Sequence, residues 1–241
     1  MIWTIAYREL RNLFLSPIAW TILAITQVIF GLVFSAQISS YDGGKGTEGV
    51  TAAVALPLFG WSSVLLLFVI PLLTMRSIAE ERRNNTLTLL FSAPVSMAEI
   101  VLGKYFGVIL YLLILSALIL VMPFSLLIGA SLDFGLLASA VFGLILLLSS
   151  FTAIGVFMST LTKSPTLAAM GSFGALFLLW MFALSADMFG DNVLSYLSII
   201  NHFVPFLEGI FNTRDVIYYL TVATVFLTFS IRRLNMDRLG A

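Results

Sequence analysis

Six apolar stretches determine what this 241-residue chain can fold into. A helix needs about 20 apolar residues to cross the hydrocarbon core of a bilayer, and each stretch approaches or exceeds that length. Hydrophobic residues make up 60% of the chain and charged residues 10%, whereas soluble domains average about 45–50% and about 25%. The sequence therefore predicts an all-α polytopic membrane protein with six transmembrane helices, near residues 18–39, 57–75, 101–129, 136–160, 167–186 and 216–231.

The distribution of lysine and arginine predicts how these spans are oriented, since basic residues concentrate in the cytoplasmic loops of membrane proteins. If the N-terminus is cytoplasmic, ten basic residues lie inside, whereas only Lys45 and Arg214 lie outside. The sequence therefore predicts that both termini are cytoplasmic. The ten inside residues are Arg8, Arg11, Arg76, Arg82, Arg83, Lys104, Lys163, Arg232, Arg233 and Arg238.

Residues 188–211 are apolar enough to suggest a seventh span, but they include two acidic residues, His202 and Pro205. A seventh span would also place the arginines near the C-terminus outside, against the charge distribution. We therefore predict a pair of short re-entrant helices that enter the outer leaflet without crossing it. Irregular backbone is tolerated at that depth only where protein covers it or where it lines a cavity.

The first 17 residues form an amphipathic pattern, with aromatic and aliphatic side chains at helical spacing on one side and polar ones opposite. Two interpretations stay open: a helix in the inner interface that contacts a cytoplasmic partner, or an anchor ahead of the first span. Pro17 ends this helix. The candidate site residues of the interface helix are Arg8, Glu9 and Arg11.

The chain offers no means of energising transport by itself. Its spans contain almost no ionisable groups, which argues against an ion-coupled carrier. Lys104, at the start of the third span, and Arg232, at the end of a short last span, are expected to snorkel to the cytoplasm. No G-x-x-x-x-G-K-[ST] phosphate loop is present, and the loops are too short for a nucleotide-binding domain. If ATP supplies the energy, the ATPase is another polypeptide.

A membrane enzyme is the rival class of function. A metalloprotease site of the H-E-x-x-H type needs two histidines, whereas His202 is the single histidine of the chain. Serines are frequent in the spans, but small hydroxyl residues there more often serve helix packing than catalysis. We therefore expect no catalytic residues, no metal site, no cofactor on this chain and no nucleic-acid partner.

Residues 76–100 form the longest predicted cytoplasmic loop. Arg76 to Arg83 can continue the second span as a charged helix with pairs at helical spacing, and Asn84 and Asn85 suit a helix end. A second short helix is predicted from Thr86 to Ser92, ended by Pro94, and a capping box at Ser96 and Glu99 begins the third span. The apolar face of the short helix, Leu87, Leu90 and Phe91, suits a groove on a partner; attachment to the membrane interface is the alternative.

The run RSIAEERRNNTLTLLFSAPVSMAEIVLGKYFG, residues 76–107, resembles the signature of the ABC-2 type permease family, in which E-x-x-x-G-T-x-E-x-L-x-x-x-P precedes the third span. The opening YRELRNLFLSPIAW, residues 7–20, is similar to the start of the same family. The ending NHFVPFLEGIFNTRDVIYYLTVATVFLTFSIRRL, residues 201–234, resembles the GldF-like subgroup, named for gliding-motility permeases. Two positions depart from the pattern: Asn85 replaces the usual glycine and Thr88 replaces the usual glutamate.

The resemblance implies a permease subunit of the bacterial inner membrane that couples ATP hydrolysis by a separate subunit to export or mechanical work. It implies an ABC ATPase dimer carrying ATP and Mg, and a second permease chain around a central pathway, or a GldG-like protein with an extracytoplasmic domain. A non-transporting scaffold or mechanotransmitter that acts on an envelope partner is the alternative. His202, Phe203 and Phe206 would belong to an outer gate, with His202 serving a hydrogen bond within the turn or a substrate contact. The implied ATPase-coupling residues are Glu80, Glu81, Arg82, Asn85, Thr86, Leu87, Leu90, Phe91 and Pro94.

Overall fold

Helices account for most of the residues that the computed structural model describes, namely 1–41, 49–86, 95–128, 131–189 and 192–239, and none of these residues forms a β-strand. Within these ranges six helices are long and apolar enough to cross a membrane, which confirms the predicted all-α polytopic fold with six spans. The helices are α1 Ile2–Leu15, α2 Pro17–Ser40, α3 Leu56–Thr74, α4 Ala79–Arg83, α5 Met97–Ser125, α6 Phe134–Leu161, α7 Pro165–Phe189, α8 Asn192–Leu197, α9 Val204–Leu207 and α10 Thr213–Leu239.

The helix that contains the last span is longer than the predicted span. Helix α10 has 27 residues and is therefore about 40 Å long, whereas the hydrocarbon core is about 30 Å thick. Helix α10 continues through Arg232 to Leu239, so the helix is longer than the predicted span, whose end near residue 231 stays a prediction. Its C-terminal turns therefore extend past the apolar part of the span.

Helix α6 is the centre of the fold. In its most apolar window 67% of the residues are buried, against 17% for α2 and for α7. It packs against α3, α5, α7 and α10, and at Gly155 the side chain of Thr74 approaches so closely that a Cβ would overlap it. The spans α2 and α7 lie at the periphery with most of their surface uncovered.

The connection after α3 is not the continuous charged helix that the sequence predicts. Helix α3 ends at Thr74, residues 75–78 form turns, and the charged helix α4 covers only Ala79–Arg83. The predicted helix end is confirmed: Asn85 has a φ of 55°, and Thr86 N donates to Glu81 O at 3.0 Å. This is the arrangement in which a residue in the left-handed conformation ends a helix.

Helix α5 begins with the predicted capping box. Glu99 N donates to Ser96 Oγ at 3.2 Å, and Ser96 N donates to Glu99 Oε2 at 2.9 Å. Two of the backbone N–H groups at the helix start are thereby satisfied. Between α7 and α10, the α8–α9 segment, residues 192–207, contains the two short helices α8 and α9 joined by turns. How deeply this segment enters the membrane stays a prediction.

Candidate functional site

The amphipathic helix α1 packs directly against α5 at two glycines spaced four residues apart. A Cβ at Gly103 would lie 2.6 Å from Ile5 Cβ, and a Cβ at Gly107 would lie 2.6 Å from Glu9 Cβ. Only glycine permits this approach, as in the G-x-x-x-G contacts of membrane helices. The G-K-Y-F-G run of residues 103–107 is the sequence signal of this contact, and it is absent from the expectations drawn above.

The side of α1 that touches the protein differs from its aromatic side. Ala6 is fully buried, whereas Trp3 is 71% and Tyr7 69% exposed. Exposed aromatic side chains of this kind suit the membrane–water interface. Arg8 and Arg11 are exposed, whereas Glu9 faces α5. The helix therefore joins the body of the protein through a narrow stripe that includes a carboxylate.

Lys104 lies between α1 and α4 and is only 2% exposed. Its Nζ lies 2.8 Å from Glu81 Oε1 and 3.5 Å from Glu9 Oε2, and it donates to Ser77 O at 2.6 Å. A buried ammonium is stable only when carboxylates and other acceptors surround it, and Lys104 has three such contacts. The expectation that Lys104 snorkels to the cytoplasm is therefore wrong.

A serine of α6 fixes the turn that leads into α4. Ile78 N and Ala79 N each donate to Ser159 Oγ at 3.0 Å, and Ser159 Oγ lies 3.3 Å from Met75 O. The hydroxyl thereby satisfies backbone groups that a broken helix leaves without partners. Helix α4 is consequently attached to α6 through its first turn as well as to α5 through Glu81.

The other side of α4 is attached to the C-terminal end of α10. The guanidinium of Arg82 forms an ion pair with Asp237, and Arg233 lies 3.6 Å from the same carboxylate. Beneath this pair Leu234 is fully buried, in one apolar cluster with Ile78. Four helices thus meet at a charged junction, defined as Glu9 of α1, Glu81 and Arg82 of α4, Lys104 of α5 and Asp237 of α10.

A cavity of about 250 Å³ lies beside the charged junction. Charged side chains, among them Arg76 and Glu80, line one part of it, and Leu13, Leu72 and other apolar residues of α1 to α3 line the rest. The described residues therefore leave open space on one side of α4.

Comparison with protein-family models matches residues 34–231 of the chain to a family described as ABC-2 family transporter protein. The match spans well over half of the chain, including the loop after α3 and the spans from α3 to α6. The chain belongs to the ABC-2 family of transporter proteins. Such proteins are the transmembrane permease component of a transporter and normally work with an ABC ATPase partner. A comparison with curated proteins found no matching sequence.

In this ABC-2 family protein the predicted coupling residues fall into three groups. Glu81 and Arg82 are engaged in the charged junction. Glu80 is partly exposed and forms no ion pair with the described residues, and Asn85 and Thr86 are exposed at the end of α4. The other predicted coupling residues lie outside the described residues: Leu87, Leu90, Phe91 and Pro94. The short helix predicted for residues 86–92 also lies outside them, apart from Thr86.

The predicted gate residues of the ABC-2 protein lie at the opposite ends of the same spans and are buried. Phe203 is 1% and Phe206 0% exposed, and Phe206 packs onto Gly143 of α6, where a Cβ would lie 2.6 Å from Phe206 Cβ. Residues 198–207 therefore pack against the N-terminal part of α6.

His202 makes the predicted hydrogen bond within its own segment and a second bond to α10. Its Nε2 lies 2.9 Å from Tyr196 O and its Nδ1 lies 2.5 Å from Asp215 Oδ1. Because a carbonyl only accepts, the contact with Tyr196 O places a hydrogen on Nε2, and Nδ1 faces the carboxylate of Asp215. The ring also stacks on Tyr218 with centroids 4.0 Å apart. The histidine thereby joins the α8–α9 segment to α10.

Proposed function

We propose that this chain is the membrane subunit of an ATP-driven transporter in which a separate ABC ATPase drives export or mechanical work across the bacterial inner membrane. The charged junction carries the proposal. It joins the loop that would receive the ATPase to helices α1, α5 and α10, so a displacement of the loop acts on several helices at once.

The contacts of α4 indicate that it transmits movement of the loop to other helices, and that it does more than connect two spans. Helix α4 has five residues, too few to be stable without tertiary contacts. A loop that merely joined two spans would leave its charges in solvent, where ion pairs contribute little. Here Glu81 and Arg82 are both drawn into contacts with distant helices, and the adjacent cavity leaves space for α4 to move.

The surface offered to the ATPase consists of the exposed end of α4 and the loop that follows it. Arg83, Asn84, Asn85 and Thr86 are exposed, and the apolar residues Leu90 and Phe91 come after them. ATP and Mg would be bound by the partner, and this chain would bind neither. With this loop inside, both termini are cytoplasmic and the α8–α9 segment is an outer gate.

The peripheral spans provide a surface for a second permease chain. Helices α2 and α7 are the least buried spans among the described residues. A row of aromatic side chains runs along α7, with Phe173 stacked on Phe177 and Phe177 on Trp180. Aromatic side chains supply large contact areas between subunits. We propose that the second chain pairs here, and that the protein belongs to the GldF-like subgroup, in which that chain would be a GldG-like protein with an extracytoplasmic domain.

The proposal is tested by Leu90→Asp and Phe91→Asp in the chain produced together with the ATPase that co-purifies with the wild type in mild detergent. Either charge would be placed in the apolar contact, so we expect the ATPase to be lost from the purified complex while membrane insertion is unchanged. Leu239→Asp is the matched control, because Leu239 is 90% exposed on the same side. A complex that survives both loop substitutions would show that the loop is not the main contact.

A further inference from the structure

The C-terminal end of α10 lies outside the segment matched to the family, which stops at residue 231, yet it takes part in the charged junction. We propose that Asp237 is a positioning residue for the ATPase-coupling loop: it holds Arg82 and so fixes the orientation in which α4 presents the loop. The statement that the loop binds an ATPase rests on the proposed function. The statement that Asp237 holds Arg82 rests on the geometry alone.

The ion pair is neither local nor freely solvated. Arg82 and Asp237 are separated by 155 residues, and their side chains are 11% and 22% exposed. Arg233, one turn earlier on α10, supplies a second guanidinium at 3.6 Å. Ion pairs of exposed side chains contribute little because solvent screens them, whereas this pair is largely shielded. Removing the carboxylate would leave Arg82 without its partner in a site that excludes most water.

Apolar packing brings the two charges together. Leu234 is fully buried and lies almost one helical turn before Asp237, so both residues are on the same side of α10. It shares an apolar cluster with Ile78, directly before α4, and with Val101 of α5. The packing fixes the position of α10 beside α4, and the ion pair then fixes the direction in which α4 points.

Two neighbouring residues of α4 hold it from two directions. Successive residues of a helix are about 100° apart around its axis, so Glu81 reaches Lys104 on α5 while Arg82 reaches Asp237 on α10. Without Asp237, α4 would be held by Glu81 and by the hydrogen bonds of its first turn to Ser159, and its last turn could still rotate. The contact at Asp237 prevents this rotation and connects the loop to the last span of the chain.

The absence of cysteine makes a direct test simple, because labels can be placed on introduced cysteines without removing native ones. Spin labels at Asn84→Cys and Arg232→Cys, both exposed, report the distance between α4 and α10 in the full chain in nanodiscs. We expect a narrow distribution in the otherwise wild-type chain and in Asp237→Glu, and a broad one in Asp237→Asn. The double reversal Arg82→Asp with Asp237→Arg should narrow it again.

The control is Arg238→Gln, which changes the charge of the neighbouring exposed residue and should leave the distribution unchanged. A distribution in Asp237→Asn identical to that of the wild type would overturn the inference. Equal broadening by Arg238→Gln would also overturn it, because the effect would then follow from the charge of the segment and not from the ion pair.

A second measurement uses the ATPase that co-purifies with the wild-type chain. We expect Asp237→Asn to weaken its binding about tenfold, a size within the range of coupling between contacting residues, with the double reversal restoring most of the loss. Unchanged binding despite a broadened distance would show that Asp237 holds α4 without positioning the coupling surface, and would overturn the proposed role. If no ATPase binds the wild-type chain, the proposed function fails, while the distance measurement still decides whether Asp237 holds Arg82.

Discussion

The two ends of the helical bundle are held together by different chemistry. At the charged junction, three ion pairs join α1, α4, α5 and α10 across the ends of the spans. At the opposite end, the α8–α9 segment is held by buried aromatic rings and by hydroxyl groups bound to backbone carbonyls, such as Tyr218 Oη to Leu197 O at 2.8 Å and Tyr219 Oη to Ile199 O at 2.8 Å. Among the ion pairs of the described residues, that of His202 and Asp215 is the one that joins the α8–α9 segment to α10.

This difference indicates which end can change its internal contacts. Ion pairs are long-range and can exchange partners, and those of the junction lie beside a cavity. Aromatic packing has no comparable alternative arrangement, because interiors are close-packed and each ring fits one space. The outer gate that we propose for the α8–α9 segment should therefore move as one rigid body, whereas the contacts of the junction should rearrange when the loop is displaced. Three substitutions test this contrast, in order of decreasing effect.

The largest effect is expected from Lys104→Met, which keeps an unbranched side chain but removes the ammonium. Glu81 and Glu9 would then lie close together without their shared cation, and breaking a buried pair in this way costs about 3–5 kcal/mol. We expect the thermal unfolding midpoint of the chain in nanodiscs to fall by several degrees. Lys163→Met, at an exposed lysine, is the control. An unchanged midpoint for Lys104→Met would show that the charged junction does not stabilise this end of the bundle.

A smaller effect is expected from Gly103→Ala, which places a methyl group against Ile5 and forces α1 away from α5. Overpacking of this kind costs about 1–3 kcal/mol. A cysteine at Ala6, which is fully buried in the contact, should react with a maleimide faster in the Gly103→Ala background. Gly174→Ala is the matched control, because nothing lies within 4 Å of a Cβ at that glycine. Equal reaction rates in both backgrounds would contradict the close docking of α1.

The smallest effect is expected at the aromatic end. Tyr219→Phe removes one hydroxyl and leaves the carbonyl of Ile199 without its donor, a loss of about 1 kcal/mol. The unfolding midpoint should fall slightly, and hydrogen exchange at residues 198–203 should increase only modestly. Tyr7→Phe, at an exposed tyrosine, should change neither. A loss as large as that of Lys104→Met would show that the two ends do not differ in the proposed way.

The features that were predictable from the sequence are local ones. Apolar length predicts the six spans, the Ser96 and Glu99 pattern predicts the capping box, and the tolerance of asparagine for positive φ predicts the end of α4 at Asn85. Each of these depends on residues within a few positions of one another. Sequence spacing therefore contains the information that they require.

The features that were not predictable depend on distant partners. The charged helix breaks at residues 75–78 because Ser159 supplies a hydrogen-bond acceptor about 80 residues later in the chain. Lys104 is buried because Glu9 and Glu81 converge on it from two other helices. The extra length of α10 depends on Leu234 and Asp237 finding contacts near α4. None of these pairings leaves a periodic signal in one sequence.

The docking of α1 also sets an order of events during synthesis. Glu9 meets Lys104 only after a further 95 residues have been made, which takes about 5–20 s at typical rates of translation. During that interval α1 has been synthesised but its glycine-lined site on α5 does not yet exist. During this interval the exposed side chains of Trp3 and Tyr7 can bind α1 to the membrane surface. Helix α1 therefore reaches its final position only after α5 has been made, although α2, α3 and α4 lie between the two in the chain.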